Sequence, residues 1–441
     1  MLFAPALIYG LLLGFLANSF LLVQYNPYCL YALIPLFLAV NLFAGLFSKR
    51  FRNKRTQVCW HGTVLLCVFC VSVVLSIIAQ VVIIPATAIV TKSASSAIWS
   101  LVMCIGVNAL VFWNGILCVY LTSSQLGFRL RIIGALCGMV PVINLVVLFF
   151  IIRATAKECR FEAEKDLENL ERKEDAICAT KYPILMVHGV VFRDRKYFNY
   201  WGRIPAELER NGATIFYGNH QSARSVADSA QELKDRIFEI LAQTGAEKVN
   251  IIAHSKGGID CRYAIAKLGM QPYVASLATI NTPHRGCLFA DYVLHKVPDR
   301  VKLRIAKLYN GTMKKLGDTD PDFLAAMENL TDAFCQPLHE EMGVPEGIFC
   351  QSVGSVMKKR SSSFLPLNLS FHLAKYFDGE NDGLVSENSF QWGEKYTLLT
   401  PPKNRGIDHG DVVDLKRENI DGFDVREFYV DLVADLKNRG L

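Results

Sequence analysis

No aspartate or glutamate occurs among the first 152 residues of this 441-residue chain. The same stretch holds eight basic side chains: Lys49, Arg50, Arg52, Lys54, Arg55, Lys92, Arg129 and Arg131. All 41 acidic residues come later, so the formal net charge of +6 belongs to the first third. Basic clusters set between apolar runs follow the rule that sorts positive charge to the cytoplasmic ends of membrane spans, not the pattern of a nucleic-acid face. A hydrophobic share of 51% and a charged share of 20% exclude a disordered chain. Also missing are a phosphate-cradling glycine loop, a dinucleotide fingerprint, a Cys/His cluster, an internal repeat and any low-complexity segment. No cofactor and no nucleic-acid partner are therefore expected.

What the first third does have is apolar length. About Leu2–Val23, Tyr28–Phe47, Val64–Ala86, Ile98–Thr122 and Ile132–Ile152 are each long enough to cross hydrocarbon, which takes roughly 20 helical residues. Residues 1–152 thus predict an all-α transmembrane domain of about five spans, and a membrane partner. A cleaved signal peptide is the competing reading of the first stretch, but no basic segment precedes it and a second span follows closely. Gly10 and Gly14 have GxxxG spacing, which in apolar sequence is usually coincidence. With Lys49–Arg55 inside, five crossings put the C-terminal part outside, so an extracytoplasmic location is expected. Two features oppose that. Arg153, Lys157 and Arg160 follow the fifth stretch, and Pro141 and Asn144 would break it into a re-entrant hairpin.

Residues 153–180 are densely charged and read as a solvated connector helix, with i,i+4 pairs from Glu162 to Lys173. From residue 181 onward, short apolar runs alternate with amphipathic ones. Strands are expected at Tyr182–Val187, Thr214–Tyr217, Val249–Ala253, Val274–Ile280 and Tyr396–Thr400. Helices are expected around Ala206–Arg210, Ala223–Thr244 and Gly257–Leu268. This order predicts one α/β domain with a mainly parallel sheet over residues 181–441.

The chemistry centres on Ser255. A strand runs into it and a helix starts directly behind, with Ala253 and Gly257 as the small residues that so tight a turn demands. A helix N-terminus there supports a developing oxyanion. The competing reading is a chance small-x-Ser-x-Gly at a helix cap. His188-Gly189-Val190 ends the first strand, and Val190 and Lys256 are the candidate oxyanion amides. His188 reads as a loop brace. An acid and a histidine should follow the serine in that order. Asp382, in Asn381–Val385, is the leading acid, with Asp378, Glu380 and Asp408 as rivals. His409 is the leading base, with His372 and His339 as rivals. His220, His254, His284 and His295 read as loop or structural residues.

The motifs resemble those of the secreted bacterial triacylglycerol lipases of the α/β-hydrolase fold. They are Tyr182-Pro183-Ile184 with Val187-His188-Gly189, Tyr200-Trp201 with Ile204-Pro205, Asn211-Gly212-Ala213, the turn at Ser255, Thr282–Gly286, Asn381–Val385 and His409-x-Asp411. They run in the family's order over nearly all of residues 182–441. The resemblance implies Ser255 as nucleophile, His409 as general base, Asp382 as its orienting acid, and a lipid acyl ester as substrate. It has no counterpart for the first third. It also implies a structural calcium for which Asp411 would be one ligand. The place of the second carboxylate reads Lys358–Ser362, so Asp411 is a weak calcium candidate, and a loop-capping carboxylate is its plainer reading.

Residues 288–342 form a long helical insertion, read as a lid or a packed cap. Phe192, Tyr197, Phe198, Tyr200 and Trp201 would line an acyl pocket or pack in the core. Of thirteen cysteines, seven lie in or beside the apolar stretches, and no spacing argues for a disulfide. The expected function is a membrane-anchored serine hydrolase cleaving lipid carboxylic esters. The alternatives are an acyltransferase using the same acyl-enzyme and a membrane scaffold with a silent hydrolase shell.

Overall fold

A computed structural model describes residues 3–45, 51–138, 143–190, 199–221, 223–315, 317–364, 367–401 and 405–441. Lys49, Arg50, Pro141, Phe192, Tyr197 and Phe198 lie outside the described residues. The chain folds as two compact units, Met1–Glu171 and Arg172–Leu441.

The first unit is all helical: α1 (Phe3–Ala17), α2 (Phe20–Tyr25), α3 (Leu30–Phe43), α4 (Lys54–Thr91), α5 (Ala94–Thr122), α6 (Gly127–Cys137) and α7 (Ile143–Glu171). Among the described residues, α4 and α5 are the two helices long and apolar enough to cross a membrane, with α1 and the helix at Pro27–Phe43 apolar but shorter. The first expected span is interrupted at Asn18 and Ser19, between α1 and α2. Asn18 leaves helical geometry to hydrogen-bond Gly14 O at 2.7 Å and Ser76 Oγ of α4 at 3.0 Å. The glycine spacing is not coincidental. A Cβ on Gly10 would meet Val71 at 2.6 Å and one on Gly14 would meet Leu75 at 3.3 Å, so these glycines let α1 lie close against α4.

Among the described residues, the fifth expected span falls on two helices. It is divided between α6 and α7, and α7 continues without a break through Ile152 into the charged segment. Glu158 of α7 is 1% exposed and pairs with Arg55, at the start of α4, at 2.9 Å. Ser123 Oγ, Ser124 N and Oγ, and Gln125 N donate to the same carboxylate. Burial opposes the ionisation of Glu158, yet the donors Ser123, Ser124 and Arg55 hold its pKa below the ordinary value. The first turns of α4, the end of α5 and the middle of α7 therefore meet at one end of the unit.

The second unit begins earlier than expected. Cys178 is fully buried in its core, and Arg172 forms an ion pair with Glu427. The end of the connector thus packs as part of this unit. Its sheet has six strands, all parallel, in the order β2-β1-β3-β4-β5-β6. They are β1 (Ile184–Val187), β2 (Ile215–Tyr217), β3 (Val249–His254), β4 (Val274–Ile280), β5 (Phe349–Ser355) and β6 (Lys395–Leu399). The helices are α8 (Ile204–Arg210), α9 (Val226–Thr244), α10 (Lys256–Lys267), α11 (Leu288–Lys296), α12 (Asp299–Lys315), α13 (Phe323–Glu328), α14 (Asp332–Met342), α15 (Leu367–Asp378) and α16 (Val425–Asn438).

Strand β5 was not expected from sequence, because Gln351, Ser352, Gly354 and Ser355 break its apolar run. It is nonetheless buried almost throughout. Ser352 Oγ donates to Trp392 O at 2.6 Å, and the Gly354 position has room for no Cβ beside Phe390. Two apolar layers cover the sheet. One joins Met186, Trp201, Ile252, Tyr429 and Val433, and the other joins Leu185, Ile237, Ile251 and Leu277. Strand order reverses between β1 and β3, so the topological switch point lies beyond their carboxyl ends, where α/β sheets hold ligands.

Candidate active site

Val249–His254 is an apolar strand buried on both faces, and it ends in Ser255 at φ +55° and ψ −131°. That backbone is costly for a residue with a Cβ and holds only because its surroundings over-determine it. Ser255 N donates to Ile280 O at 2.9 Å, and α10 starts with the next residue. A Cβ at Gly257 would come to 2.5 Å from His188 O and to 3.0 Å from the Val187 side chain. The small residue is thus required by the passing β1 backbone. Gly189 is confined in the same way by Ser255 Cβ at 3.0 Å. The ends of β1 and β3 are close because neither carries a side chain at these points.

His409 follows β6 on a loop and is 8% exposed. Its Nε2 lies 3.0 Å from Ser255 Oγ and its Nδ1 lies 2.5 Å from Asp382 Oδ2. The three side chains singled out from sequence come together at the carboxyl edge of the sheet. Asp382 is fully buried. Its Oδ1 accepts from Leu384 N at 2.9 Å and Val385 N at 2.8 Å, and its Oδ2 accepts from Asn281 Nδ2 at 2.7 Å. Such a set of donors fixes the direction of the Asp382 carboxyl group.

The rivals stand elsewhere. Asp408 pairs with Lys416 and caps its own turn through Gly410 N at 2.9 Å. Glu380 pairs with Lys375 at 3.0 Å on the surface, and His372 is exposed. His339 borders Arg262 at 3.3 Å. Asp378 closes α15.

The loop after β1 is tied down from several directions. His188 is fully buried, stacks on His220 with centroids 4.0 Å apart and lies 3.1 Å from His220 O through Nε2. Tyr200 Oη accepts from Gly189 N at 3.2 Å and is 2.6 Å from His254 Nδ1. Val190 is buried, and Tyr309 of the 288–342 insertion donates to its carbonyl. Tyr200 and Trp201 are core residues, not an exposed pocket wall. The insertion is four helices, α11 to α14. They pack on Val190, Val226, Ile259 and Val385 through Ala290, Ala326, Met327 and Cys335.

Lys256 has a side-chain role that the sequence did not reveal. Its ammonium is 1% exposed and bonds Asp260 at 2.8 and 3.0 Å and Ser229 Oγ at 3.0 Å. Burial pushes the Asp260 carboxyl up to about 6, against the pull of Lys256. The Lys256–Asp260 pair spans one turn of α10. His254 was read as structural. It lies under His409 with centroids 4.6 Å apart, and burial, then the neighbouring His409, lowers its pKa well below the ordinary value. It is therefore neutral and does not repel a cationic His409.

Asn281 is the polar residue that sequence reasoning missed. It sits one residue past β4 at φ +46°, and its Nδ2 bonds both Asp382 and Ser355 Oγ, each at 2.7 Å. The available signal was position: a polar residue directly after an apolar strand, as His188 and Ser255 are.

Asp411, which the resemblance offers as a calcium ligand, is engaged within the protein. Its carboxylate is held by Arg405 Nη1 at 2.9 Å and caps Asp408 N at 3.0 Å. Burial, then the charge of Asp408, pushes it up to about 6. Among the described residues, no three His, Cys, Asp or Glu side chains are grouped to hold a metal.

Against known proteins, the decisive likeness is local. Residues 181–277 match the family described as lipase (class 2). A triacylglycerol lipase of Pseudarthrobacter phenanthrenivorans is 36% identical over 171 residues, which covers 36% of this chain and 53% of that protein. Triacylglycerol lipase 2 of Saccharomyces cerevisiae is 27% identical over 274 residues, covering 56% of this chain and 77% of that protein. The crystal structure of Staphylococcus hyicus lipase aligns with a TM-score of 0.45 at 16% identity, over 59% of this chain and 98% of that one. The chain spans about half the length of the first bacterial relatives it matches.

Proposed function

We propose that this chain is a membrane-anchored serine hydrolase that cleaves carboxylic esters of lipids. The observation that carries the reading is the imidazole of His409, hydrogen-bonded at one nitrogen to Ser255 Oγ and at the other to Asp382. Ser255 Oγ attacks the ester carbonyl as His409 takes its proton. Asp382 keeps the imidazole in the tautomer whose Nε2 accepts, and it balances the imidazolium that forms. The tetrahedral oxyanion is met by the Lys256 and Val190 amides, each worth about 3 kcal/mol in reactions of this type. His409 returns the proton to the departing alkoxide. Water, deprotonated by the same imidazole, then releases the acid from Ser255. The lipid character of the ester is supported by the likeness of residues 181–277 to lipases.

The apolar α4 and α5 support integral membrane attachment. The Arg55–Glu158 pair supports an α6–α7 segment that dips into the bilayer and returns to the side it left. The chain then leaves the first unit on the same side as Lys54, Arg55, Arg129 and Arg131. By the positive-inside rule that side is cytoplasmic, which also accommodates Arg153, Lys157 and Arg160. This reading is the alternative to the external location that five straight crossings would give.

The test uses detergent-solubilised full-length protein. A fluorophosphonate probe should label the wild type and not Ser255→Ala, and turnover on triacylglycerol, monoacylglycerol, phospholipid or short esters should vanish in the same variant. Labelling that persists in Ser255→Ala refutes the assignment. Single cysteines introduced at Gln57 and Ser93 in a cysteine-free chain should be modified from opposite faces of sealed vesicles. A cysteine at Lys173 should react with the Gln57 set, and reaction with the Ser93 set would sink the orientation.

A further inference from the structure

The first unit holds a cavity of about 880 Å³ among α4, α5, α6 and α7. That is within the range of roughly 300–1,000 Å³ typical of small-molecule sites. Its walls are mostly apolar, including Phe69, Ile77, Ile105 and Leu148, and no charged side chain lines it among the described residues. Three amides interrupt the apolar surface: Asn144, whose Nδ2 donates to Gly138 O at 3.5 Å, and the more deeply buried pair Gln80 and Asn108. Gln80 and Asn108 are 6% and 5% exposed. Asn108 stands near the middle of the 29-residue α5.

Both amides have their donor ends engaged. Gln80 Nε2 donates to Asn18 Oδ1 at 2.8 Å, and Asn108 Nδ2 donates to Cys104 O at 2.9 Å. Both acceptor ends are buried with no hydrogen-bond partner, at Gln80 Oε1 and Asn108 Oδ1. Rotating the amides by a half-turn does not relieve this. A flipped Asn108 would set its oxygen 2.9 Å from Cys104 O, an oxygen that already accepts a helical bond within α5, and Asn18 Nδ2 already faces Gly14 O at 2.7 Å, which leaves Asn18 Oδ1 to accept from Gln80. Buried polar groups in a medium without water require partners, and intramembrane polar side chains mark sites of function. What is missing here is a donor.

We infer that the cavity binds a neutral lipid carrying a free hydroxyl group, with its hydrocarbon along the apolar walls and its hydroxyl donating to the oxygen of Asn108 or Gln80. A triacylglycerol or a wax ester offers only acceptors and leaves both oxygens unpaired. A phospholipid phosphate brings a negative charge toward two acceptor oxygens with no cation beside them. A diacylglycerol, a long-chain alcohol and a sterol share the required chemistry. The inference does not depend on the Ser255 site.

Full-length protein carrying Ser255→Ala, in phosphatidylcholine nanodiscs, provides the test. The probes are a diazirine-bearing long-chain alcohol and its methyl ether, with diazirine diacylglycerol and diazirine sterol in parallel. Photolabelled peptides are mapped by mass spectrometry. The alcohol should label α4 and α5 peptides about tenfold more than its ether, the factor that one ordinary hydrogen bond supplies. That preference should disappear in Gln80→Leu/Asn108→Leu. All labelling of the cavity should fall in Ile105→Trp, which fills the space and leaves both amides intact. Monodispersity and melting temperature verify that each variant is folded. Labelling by the diacylglycerol or by the sterol identifies which source fits, and either supports the site. Equal labelling by alcohol and ether overturns the inference, as does a preference that survives the double substitution in a folded variant.

Discussion

The two units place their buried carboxyl groups differently. In the α/β unit, a series of polar side chains gathers at one edge of the sheet around a fully paired carboxyl group: Asn281 holds Asp382, Asp382 holds His409, and His409 reaches Ser255. In the helical unit, the one buried carboxylate, Glu158, sits at an end beside Arg55, while the mid-helix amides Gln80 and Asn108 keep unpaired oxygens. The contrast teaches where each architecture tolerates charge. Strand ends offer loop amides in quantity, so a carboxylate there can be fully paired. A helix interior has already used its amides, so ionised groups retreat to the ends and lone dipoles in the middle wait for a ligand.

The sharpest way to break this comparison is Ser255→Ala. If the polar chain at the sheet edge is a catalytic one, kcat should fall at least about 10⁴-fold with the melting temperature unchanged. Gly257→Ala is next. The added Cβ points at the His188 carbonyl 2.5 Å away. Overpacking of this kind costs about 1–3 kcal/mol, so the second unit should melt roughly 5 °C lower, and activity should fall with it. In the helical unit, Glu158→Gln leaves Arg55 without its carboxylate. Arg55 is 36% exposed, so the loss in thermal unfolding of solubilised protein should be about 2–3 kcal/mol, less than for a fully buried pair. A variant as stable as wild type would show that the helix ends are not joined there.

Asn281→Ala removes one charge-assisted bond to Asp382. Hydrogen bonds to charged groups are worth about 1.5–3 kcal/mol, so kcat should drop by about tenfold to a hundredfold while KM holds. An unchanged kcat would reduce Asn281 to a packing residue.

The smallest effect concerns Asp332. Burial, then the charges of Asp291 and Asp378, raises its carboxyl from 3.8 to about 6. The folded unit therefore binds a proton that the unfolded chain releases, and this group's contribution to stability declines as pH rises from about 4 to 6. Asp332→Asn should flatten that slope and leave the protein slightly more stable at pH 7, by less than about 1 kcal/mol because the group is partly solvated. Melting temperatures at pH 4, 5, 6 and 7 check the sign.

Much of the α/β unit was legible in the chain because its signals are local. Val249–Ala253 is apolar, Gly257 follows Ser255 at the spacing a tight turn needs, and Val274–Ile280 matches a strand residue for residue. Where the signal was non-local, reading failed. Strand β5 is polar and small because its neighbours Phe390 and Trp392 fill the space above it. Lys256 was singled out for its backbone amide, and only the fold showed its ammonium buried against Asp260 and Ser229. In the helical unit, hydropathy located the apolar stretches but could not tell a crossing from a hairpin, since both are apolar.

From its amino acids alone, the chain determines an acid-free helical third, an alternating α/β remainder and the candidacy of Ser255, Asp382 and His409, because periodicity and tight-turn sterics act over a few residues. Only tertiary structure decided that Asn281 braces the acid, that α7 returns to the Arg55 end, and that two amide oxygens in the helical unit are left without donors. Those facts depend on which distant segments meet, and pairing across a low-dielectric interior is a property of the packed chain, not of any stretch of it.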